Sequence, residues 1–481
     1  MKDQYESELK MWLDSEKKAL ALLDIVSKLQ FEKSVEIVLL RRKIFNRKIS
    51  EIINDHTYSA KFTGLNISLD LSLALVSALS KLDLAPSRID LIRLSKEYFE
   101  SGSPENVDEF VKERVKDFIG LAKKQLVPRD VVLYGFGRIG RLAARILMEH
   151  AGTGQQLRLR GIVTREKATD DLGKRASLLR KDSVHGKFDG VVDTDQENSA
   201  VIINGHRVHM IASGSPSEPD YTAYGINNAL IIDNTGVWRD EKGLSEHLKA
   251  KGSNSVLLTA PGKGDIANIV YGVNHEQYSG ENGGIFSAAS CTTNAIVPVI
   301  KVIKDSLGIE KGHIETVHAY TNDQNLLDNY HKKARRGRSA PTNMVITETG
   351  AGKAVTKVFP EMSGMLTSNA VRVPVPNVSL AILNLKVSKK TTVEEVNALL
   401  RNAALYGDLV EQIDYSTSTE LVSSDVVGNP HPCEIDSNAT IVSGDGQNIV
   451  IYAWYDNEYG YTCQVVRLAK HLAGVRRLIY Y

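Results

Sequence analysis

The sequence predicts an α/β protein in which a doubly wound domain with a parallel sheet precedes an α+β domain with an antiparallel sheet. The first observation is the stretch DVVLYGFGRIGRLAARILMEH, which begins at Asp130 and reads as a β-branched run, a glycine turn and a helix. The second is a set of short runs that are apolar on both faces, as buried parallel strands are. These runs are RLRGIVT (158–164), ALIIDNTG (229–236) and SVLLTAP (255–261).

The antiparallel sheet is predicted from two longer runs with polar alternation, HIETVHAYT (313–321) and VSLAILNLKVS (378–388). A chain of 481 residues is too long for one ordinary core, so we expect two or three domains. The predicted division is a helical N-terminal extension (1–125), the doubly wound domain (126–287, completed by 454–481) and the α+β domain (288–453).

The N-terminal extension is predicted to be helical because no glycine-rich turn followed by a strand occurs there. Its apolar residues recur at helical spacing: Val35, Val38, Leu39, Ile44, Phe45, Ile49, Ile52 and Ile53. We interpret the basic run RRKIFNRK (41–48) as a solvated helix face rather than a nucleic-acid patch. The extension could dock on the rest of the chain, mediate assembly or regulate access, and docking is the reading we favour.

The bulk composition narrows the class of protein. Fifty-nine basic residues stand against 58 acidic ones, a balance that argues against general attraction to nucleic acid or to an anionic membrane. The three cysteines match neither a disulfide framework nor a zinc site, so we predict no metal and a reducing, cytoplasmic location. The N-terminus lacks the apolar segment of a secretory signal, and the apolar stretch LSLALVSALS (71–80) is half the length of a transmembrane helix.

The glycine turn GFGRIG (135–140) has the G-x-G-x-x-G pattern of a Rossmann-like cofactor domain. It follows a strand and opens a helix, which is the context that dinucleotide binding requires. Gly135 turns the chain, Gly137 lets the backbone approach a pyrophosphate, and Gly140 lets the helix pack on the strand. The helix N-terminus then offers unpaired N–H groups to the phosphates.

The end of the second strand bears on the choice between NAD and NADP. In GIVTREKATDD (161–171), Glu166 is suited to gripping the adenosine ribose, whereas Arg165 beside it is suited to the extra phosphate of NADP. We hypothesise that NADP is accepted, and both cofactors stay open at this point.

The stretch SAASCTTN places Cys291 just before an apolar helical run. A helix N-terminus and a neighbouring base both favour a thiolate, which is the competent nucleophile. His318 in TVHAYTND is the candidate base, because it stands at the expected end of one helix and one strand after Cys291.

Eight ordered motifs resemble those of the phosphorylating glyceraldehyde-3-phosphate dehydrogenase family. They are YGFGRIGR, KDSVHGKF, NTGVW, SAASCTTN, TVHAYT, TETGAGKAV, LTSNAVRVPVPNVS and WYDNEYGYT. The resemblance covers about residues 127–481 and leaves the first 125 residues unexplained.

The resemblance implies a mechanism in which Cys291 is the nucleophile and His318 its activating base. The thiolate would add to an aldehyde to give a hemithioacetal, hydride would pass to NAD or NADP, and inorganic phosphate would cleave the resulting thioester to an acyl phosphate. The substrate would be glyceraldehyde 3-phosphate, and a homotetramer is expected.

The resemblance also implies the binding residues. Those for substrate and inorganic phosphate would be Ser290, Thr292, Thr321, Thr349, Gly350 and Arg372. Those for the cofactor, beyond the three glycines and Arg165 or Glu166, would be Arg138, Ile139, Thr235, Thr259, Asn457 and Tyr461.

The chain departs from the family pattern in places. Ala295 replaces a second cysteine that many relatives carry, and Asp323 adds a carboxylate that could weaken an anion site. The stretch at 322–341 looks closer to erythrose-4-phosphate dehydrogenases and gluconeogenic-type members than to the usual glycolytic loop. In erythrose-4-phosphate dehydrogenases, water rather than phosphate would release the acid. A third alternative is an interaction protein that has kept the fold without turnover; joint retention of Cys291, His318 and Arg372 speaks against it.

Overall fold

A computed structural model describes residues 2–120, 126–165 and 171–481, which fold into two compact units. The first unit comprises Met1–Val127, Gly152–Gln155 and Arg476–Tyr481, and the second comprises Pro128–Ala151 and Gln156–Val475. Among the described residues, no helix is both long enough and apolar enough to span a bilayer.

The helices are α1 (Lys2–Lys33), α2 (Ile49–Thr63), α3 (Leu69–Ser80), α4 (Leu91–Glu100), α5 (Val107–Arg114), α6 (Arg138–Glu149), α7 (Asp171–Arg180), α8 (Glu241–Lys249), α9 (Cys291–Leu307), α10 (Ala351–Val358), α11 (Val393–Leu405) and α12 (Tyr459–Leu472). The strands are β1 (Glu36–Leu39), β2 (Arg42–Lys43), β3 (Ser87–Asp90), β4 (Arg129–Tyr134), β5 (Leu157–Thr164), β6 (Lys181–Asp182), β7 (Gly186–Lys187), β8 (Val192–Asp195), β9 (Ala200–Ile203), β10 (His206–Ala212), β11 (Ala229–Asp233), β12 (Ser253–Leu258), β13 (Ala267–Asn268), β14 (Gly284–Ser287), β15 (Ile309–Ala319), β16 (Val345–Thr347), β17 (Leu366–Val373), β18 (Ser379–Val387), β19 (Ile413–Ser416), β20 (Cys433–Asp436), β21 (Ile441–Val442), β22 (Asn448–Tyr455) and β23 (Leu478–Tyr480).

The first unit contains the predicted helices and, in addition, a small sheet that the sequence analysis did not predict. Besides α1–α5 it contains a four-stranded sheet in the order β2-β1-β3-β23. The run at 36–39 is buried on both faces, and a short continuous apolar run does not distinguish a strand from a buried helix by its spacing. The expected solvated helix face at 41–48 is also wrong, because Arg42 and Lys43 form β2 and the buried Arg41 pairs with the buried Asp90 at 3.0 Å.

The last strand belongs to the first unit, although the sequence analysis assigned 454–481 to the cofactor domain. β23 pairs in parallel with β3, with Ile479 opposite Arg88. The Tyr480 side chain packs against the Phe118 ring, lies under the Arg93 guanidinium and donates a hydrogen bond to Glu97. Contacts between Tyr480 and three residues that are distant in sequence therefore hold β23 at the edge of the sheet.

Replacing Tyr480 by alanine should lower the free energy of unfolding of the first unit by about 3 kcal/mol, because a buried aromatic side chain is lost. Urea unfolding, monitored through hydrogen exchange of the β3 amides, measures the change in the free energy of unfolding. The matched control is Tyr330→Ala, whose side chain is 90% exposed. Equal stability of the two variants would contradict the packing role of Tyr480.

The second unit contains two large sheets. The nine-stranded sheet has the order β13-β14-β12-β11-β4-β5-β10-β9-β8, and β14, β12, β11, β4, β5 and β10 run parallel. Its strand order reverses between β11 and β4, which is where doubly wound folds bind ligands, at the carboxyl ends of the strands. The predicted doubly wound architecture is confirmed.

The second sheet of this unit follows the order β16-β17-β15-β18-β22-β20-β19. β15 pairs antiparallel with β18, and β18 antiparallel with β22, as the alternating runs predicted. β15 and β17 are parallel neighbours that place His318 opposite Arg372. The α+β fold therefore brings two predicted site residues side by side.

Candidate active site

The glycine turn after β4 has the geometry that a dinucleotide requires. Gly135 has φ +96°, and a Cβ there would lie 2.9 Å from Cγ2 of Thr235. A Cβ on Gly140 would lie 2.4 Å from the Gly135 carbonyl oxygen, so helix and turn pack too closely for a side chain. Gly137 precedes α6 directly and faces open space, which leaves its backbone accessible to a pyrophosphate.

Two threonines follow the neighbouring strands at the same sheet edge. The Thr235 N–H and hydroxyl both donate to Oδ1 of Asp233, each at 2.7 Å. The Thr259 hydroxyl donates to the Asp233 carbonyl at 3.0 Å. His247, which is fully buried, contacts the other oxygen of Asp233 at 3.2 Å. These contacts with Asp233 therefore hold the backbone at the carboxyl ends of β11 and β12, beside the glycine turn.

Arg138 and Ile139 sit at the start of α6, but their side chains point to protein partners. The Arg138 guanidinium pairs with Asp182 at 3.1 Å and with Glu458 at 2.5 Å, and these carboxylates raise its pKa. Ile139 packs against the core of the unit. The contribution that these two positions can offer a cofactor is therefore their backbone.

The candidate residues for the adenosine ribose lie after β5. Arg165 is exposed at the end of this strand. Its charge acts on the nearby phenol of Tyr134, which places Arg165 near the carboxyl end of β4. Glu166 lies outside the described residues.

Cys291 is presented by a strained turn between β14 and α9. Ala289 has φ +55°, and its carbonyl accepts a hydrogen bond from the Tyr461 hydroxyl at 3.0 Å. Ser290 caps the helix through its Oγ, which accepts the Thr293 N–H. The Asn294 amide donates to the carbonyls of residues 288 and 290. Cys291 is thus the first residue of a capped helix, where the N–H groups favour an anion.

Tyr461 is buried, with its hydroxyl committed to the Ala289 carbonyl. Burial raises its pKa well above the usual value, so the phenol stays neutral. In the described structure Tyr461 is part of the hydrophobic core and supports the cysteine turn through its hydroxyl.

The Cys291 Sγ lies 3.7 Å from Nε2 of His318. Burial raises the pKa of the thiol, and the positive charge of Arg372 and hydrogen bonds from Thr292 oppose that rise. Burial, followed by repulsion from Arg372 and Arg336, lowers the pKa of His318 to about 3. The pair is therefore thiol and neutral imidazole at neutral pH, and the imidazole is free to accept the thiol proton.

The tautomer of His318 follows from its other nitrogen. Nδ1 lies 2.7 Å from the Ala319 carbonyl oxygen, which also accepts from Nη1 of Arg372 at 2.8 Å. Nη1 of Arg372 is also 3.0 Å from Nδ1, and two donors cannot bond each other. Because the Ala319 carbonyl can only accept, we assign the proton to Nδ1, and the Nε2 lone pair then faces the thiol.

The other predicted anion-binding residues surround this pair unevenly. Thr349 and Gly350 directly precede α10, whose first two N–H groups, on Ala351 and Gly352, donate to the hydroxyls of Thr349 and Ser368. Thr321 is half-buried just after β15. The Ser290 hydroxyl accepts the Thr293 N–H as the N-cap of α9. Thr292 is buried, with its hydroxyl 2.9 Å from the Tyr455 hydroxyl, so it offers an anion little more than its N–H.

Arg336 is a site residue that the sequence analysis missed. Its charge lowers the pKa of His318, and it repels Arg372, so the three groups share one electrostatic environment. The guanidinium donates to Oγ1 of Thr347 at 2.9 Å and pairs with Asp323. The basic run KKARRGR could have suggested a cation at the site. Only the fold shows that Arg336 is the residue of this run that lies near His318 and Arg372.

Asn457 lies between β22 and α12 and is nearly buried. Its Oδ1 accepts a hydrogen bond from the Ser379 hydroxyl at 2.9 Å. The amide is therefore held by one partner from the second sheet. Within the described parts of the chain, no grouping of three or more His, Cys, Asp or Glu side chains suits a metal ion.

Two domain models of one protein family match this chain. The model of the glyceraldehyde 3-phosphate dehydrogenase NAD binding domain matches residues 129–241, and that of the glyceraldehyde 3-phosphate dehydrogenase C-terminal domain matches residues 290–457. Both matches lie in the second unit.

Curated relatives extend the likeness. A glyceraldehyde-3-phosphate dehydrogenase-like protein of Pseudomonas aeruginosa is 49% identical over 457 residues, covering 94% of this chain and 98% of that protein. Glyceraldehyde-3-phosphate dehydrogenase 2 of Nostoc sp. is 41% identical, covering 71% and 98%, and glyceraldehyde-3-phosphate dehydrogenase 2 of Bacillus subtilis is 40% identical, covering 72% and 96%. The alignment with the Pseudomonas protein therefore includes most of the first unit. The alignments with the Nostoc and Bacillus proteins cover a stretch about as long as the second unit.

Proposed function

Because the chain belongs to the glyceraldehyde-3-phosphate dehydrogenase family, we propose that it oxidises glyceraldehyde 3-phosphate to 1,3-bisphosphoglycerate, reversibly, through a thioester on Cys291. The family makes it an oxidoreductase that uses NAD or NADP. The observation that carries the finer proposal is the Cys291 Sγ, 3.7 Å from the free nitrogen of a neutral His318 at a capped helix start.

The proton movements follow from the tautomer of His318. Nε2 takes the thiol proton as sulfur adds to the aldehyde carbon, and it returns that proton to the new alkoxide to give a hemithioacetal. Nε2 then takes the hydroxyl proton of the hemithioacetal as hydride leaves that carbon, which gives a thioester. NAD or NADP, held near Asn457, would supply the hydride acceptor for this oxidation. When phosphate attacks and the C–S bond breaks, the imidazolium reprotonates the sulfur.

The oxyanion formed during these steps needs donors that are already in place. The Cys291 N–H at the first position of α9 is one such donor, because it has no partner within the helix. Arg372 and Arg336 supply positive charge for the substrate phosphate and the attacking phosphate.

The decisive experiment measures cofactor reduction with glyceraldehyde 3-phosphate and with erythrose 4-phosphate, each at several phosphate concentrations. Turnover of the first aldehyde that requires phosphate supports the proposal. Phosphate-independent release of the acid from the second would instead support an erythrose-4-phosphate dehydrogenase. No reduction of either cofactor, together with no alkylation of Cys291 by iodoacetate, would leave a binding protein without turnover.

One observation favours the hydrolytic alternative as second candidate. Asp323 pairs with Arg336, and its carboxylate offsets part of the positive charge that phosphate would need. When water is the acyl acceptor, as in the oxidation of erythrose 4-phosphate to the free acid, no site for an attacking inorganic phosphate is required.

We predict that NADP is used at least as well as NAD. Replacing Arg165 by alanine should raise the KM for NADP roughly tenfold and leave that for NAD nearly unchanged, since one charge-assisted bond to a phosphate is lost. Steady-state kinetics with both cofactors measures the ratio, and Arg158→Ala, on the same strand, is the control. A strong preference for NAD that survives Arg165→Ala would end the NADP hypothesis.

A homotetramer is part of the proposal. The segment between β15 and β16 and the strand after it expose large apolar side chains: Leu326 (71%), Leu327 (74%), Tyr330 (90%), Met344 (76%) and Ile346 (53%). Exposed large apolar side chains concentrated in one stretch of chain favour a partner subunit. Light scattering of Leu327→Asp should show a smaller assembly than wild type or Leu178→Asp, an exposed leucine on α7. A wild-type monomer would contradict the tetramer outright.

A further inference from the structure

The turn that enters β18 is strained. Val378 has φ +68° and is buried, and a β-branched side chain is strongly disfavoured in this left-handed region. Such strain persists only where the surrounding structure enforces it, and it tends to gather at functional sites. The residue that this turn delivers to the site is Ser379, the first residue of β18 and 1% exposed.

The Ser379 hydroxyl joins two parts of the active site. Its oxygen accepts the Ala319 N–H at 3.1 Å, and it donates to Oδ1 of Asn457 at 2.9 Å. An amide oxygen can only accept, so the hydroxyl proton goes to Asn457, while the Tyr455 phenol is a further hydrogen-bond neighbour of the same hydroxyl. The direction of both hydrogen bonds is therefore determined by chemistry.

This direction decides which way the Asn457 amide points. With Oδ1 held by Ser379, Nδ2 must point elsewhere, and no acceptor among residues 2–120, 126–165 and 171–481 is bonded to it. Asn457 thus presents a free N–H donor, which suits the carbonyl oxygen of a carboxamide. Without Ser379, the two ends of the amide would be nearly equivalent and could exchange.

The same hydroxyl also steadies the residue beside the base. Ala319 gives its N–H to Ser379, and its carbonyl accepts the Nδ1 proton of His318. One buried serine therefore links the backbone that orients the base to the amide that faces the cofactor.

The geometry points to Ser379 as a positioning residue that locks the Asn457 amide with its N–H toward the nicotinamide carboxamide. This inference rests on the proposed function, because the role of Asn457 at that carboxamide comes from the family. Ser379 acts through Asn457 and does not itself touch the cofactor.

The test compares two probes by calorimetry without aldehyde: the cofactor that wild type prefers, and ADP-ribose, which lacks the nicotinamide ring. In Ser379→Ala the Kd for the cofactor should rise roughly fivefold to tenfold, the scale of one lost hydrogen bond, and the Kd for ADP-ribose should not change. Ser379→Cys, which keeps the volume but donates weakly, should behave like Ser379→Ala. Ser437→Ala, which removes another buried hydroxyl of the same unit, should keep both wild-type values.

Three outcomes would overturn the inference. They are equal weakening of both probes in Ser379→Ala, wild-type Kd values for both probes in Ser379→Ala, and a wild-type ratio of the two Kd values in Ser379→Cys, which would reveal a packing role alone. Failure of the proposed function is recognised separately, since wild type would then neither bind the cofactor more tightly than ADP-ribose nor reduce it with either aldehyde.

Discussion

Replacing Cys291 by alanine should lower kcat for aldehyde oxidation by roughly four orders of magnitude or more, the scale of removing a covalent nucleophile. The other cysteines cannot substitute, because Cys433 and Cys463 are both buried. Burial also raises the pKa of Cys433 far above its usual value, which keeps it a thiol. Stopped-flow absorbance of the reduced cofactor measures the loss.

Controls separate loss of the nucleophile from loss of the fold. Cys463→Ala should retain turnover, and Cys291→Ala should bind ADP-ribose as wild type does. Mass spectrometry after iodoacetamide treatment should place the label on Cys291 in wild type and find none in Cys291→Ala. Residual turnover above about one per cent of wild type would mean that aldehyde oxidation does not pass through this sulfur.

Much of the second unit could be predicted because its signals are local. The glycine turn needs a positive φ at Gly135 and a contact at Gly140 that admits no Cβ, so only glycine fits and the pattern is readable. The parallel strands are buried on both faces and read as continuous apolar runs. The first unit lacked such signals, and its strand at 36–39 was absorbed into an apparent helical spacing.

Non-local pairing explains the remaining errors. β23 lies at the far end of the chain from β3, and no local pattern announces that the two strands pair. Nor did the sequence reveal that the first unit has its own buried core, built from α1, α3 and β1 among other elements. The segment is therefore a folded unit with its own core, and its docking role stays a prediction.

The site shows the same division between local and non-local signals. The order of motifs located Cys291, His318 and Arg372, and the parallel register of β15 and β17 explains why the last two meet. The motifs could not show that the Arg138 side chain pairs with Asp182 and Glu458, because these partners lie far away in sequence. The roles of these residues in binding and catalysis stay predictions for the experiments above.

Replacing His318 by asparagine should lower kcat about 10²- to 10⁴-fold at neutral pH, the range expected for loss of a general base. The reason lies in the two pKa directions. The pKa of His318 is lowered to about 3, so the imidazole is neutral at every pH well above that value and its Nε2 faces the thiol. The pKa of Cys291 is raised by burial, so without the base only the small ionised fraction of the thiol can attack.

That fraction grows tenfold with each pH unit below the thiol pKa, so the deficit of His318→Asn should be greatest near pH 6 and shrink steadily towards pH 9.5. Parallel pH profiles of kcat/KM and of Cys291 alkylation by iodoacetamide, for wild type and variant, measure this convergence. His313→Asn, an exposed histidine on the same strand, is the matched control and should follow wild type. A deficit of constant size from pH 6 to pH 9.5 would contradict proton acceptance by His318, because a role in packing or orientation alone does not depend on the ionisation of the thiol.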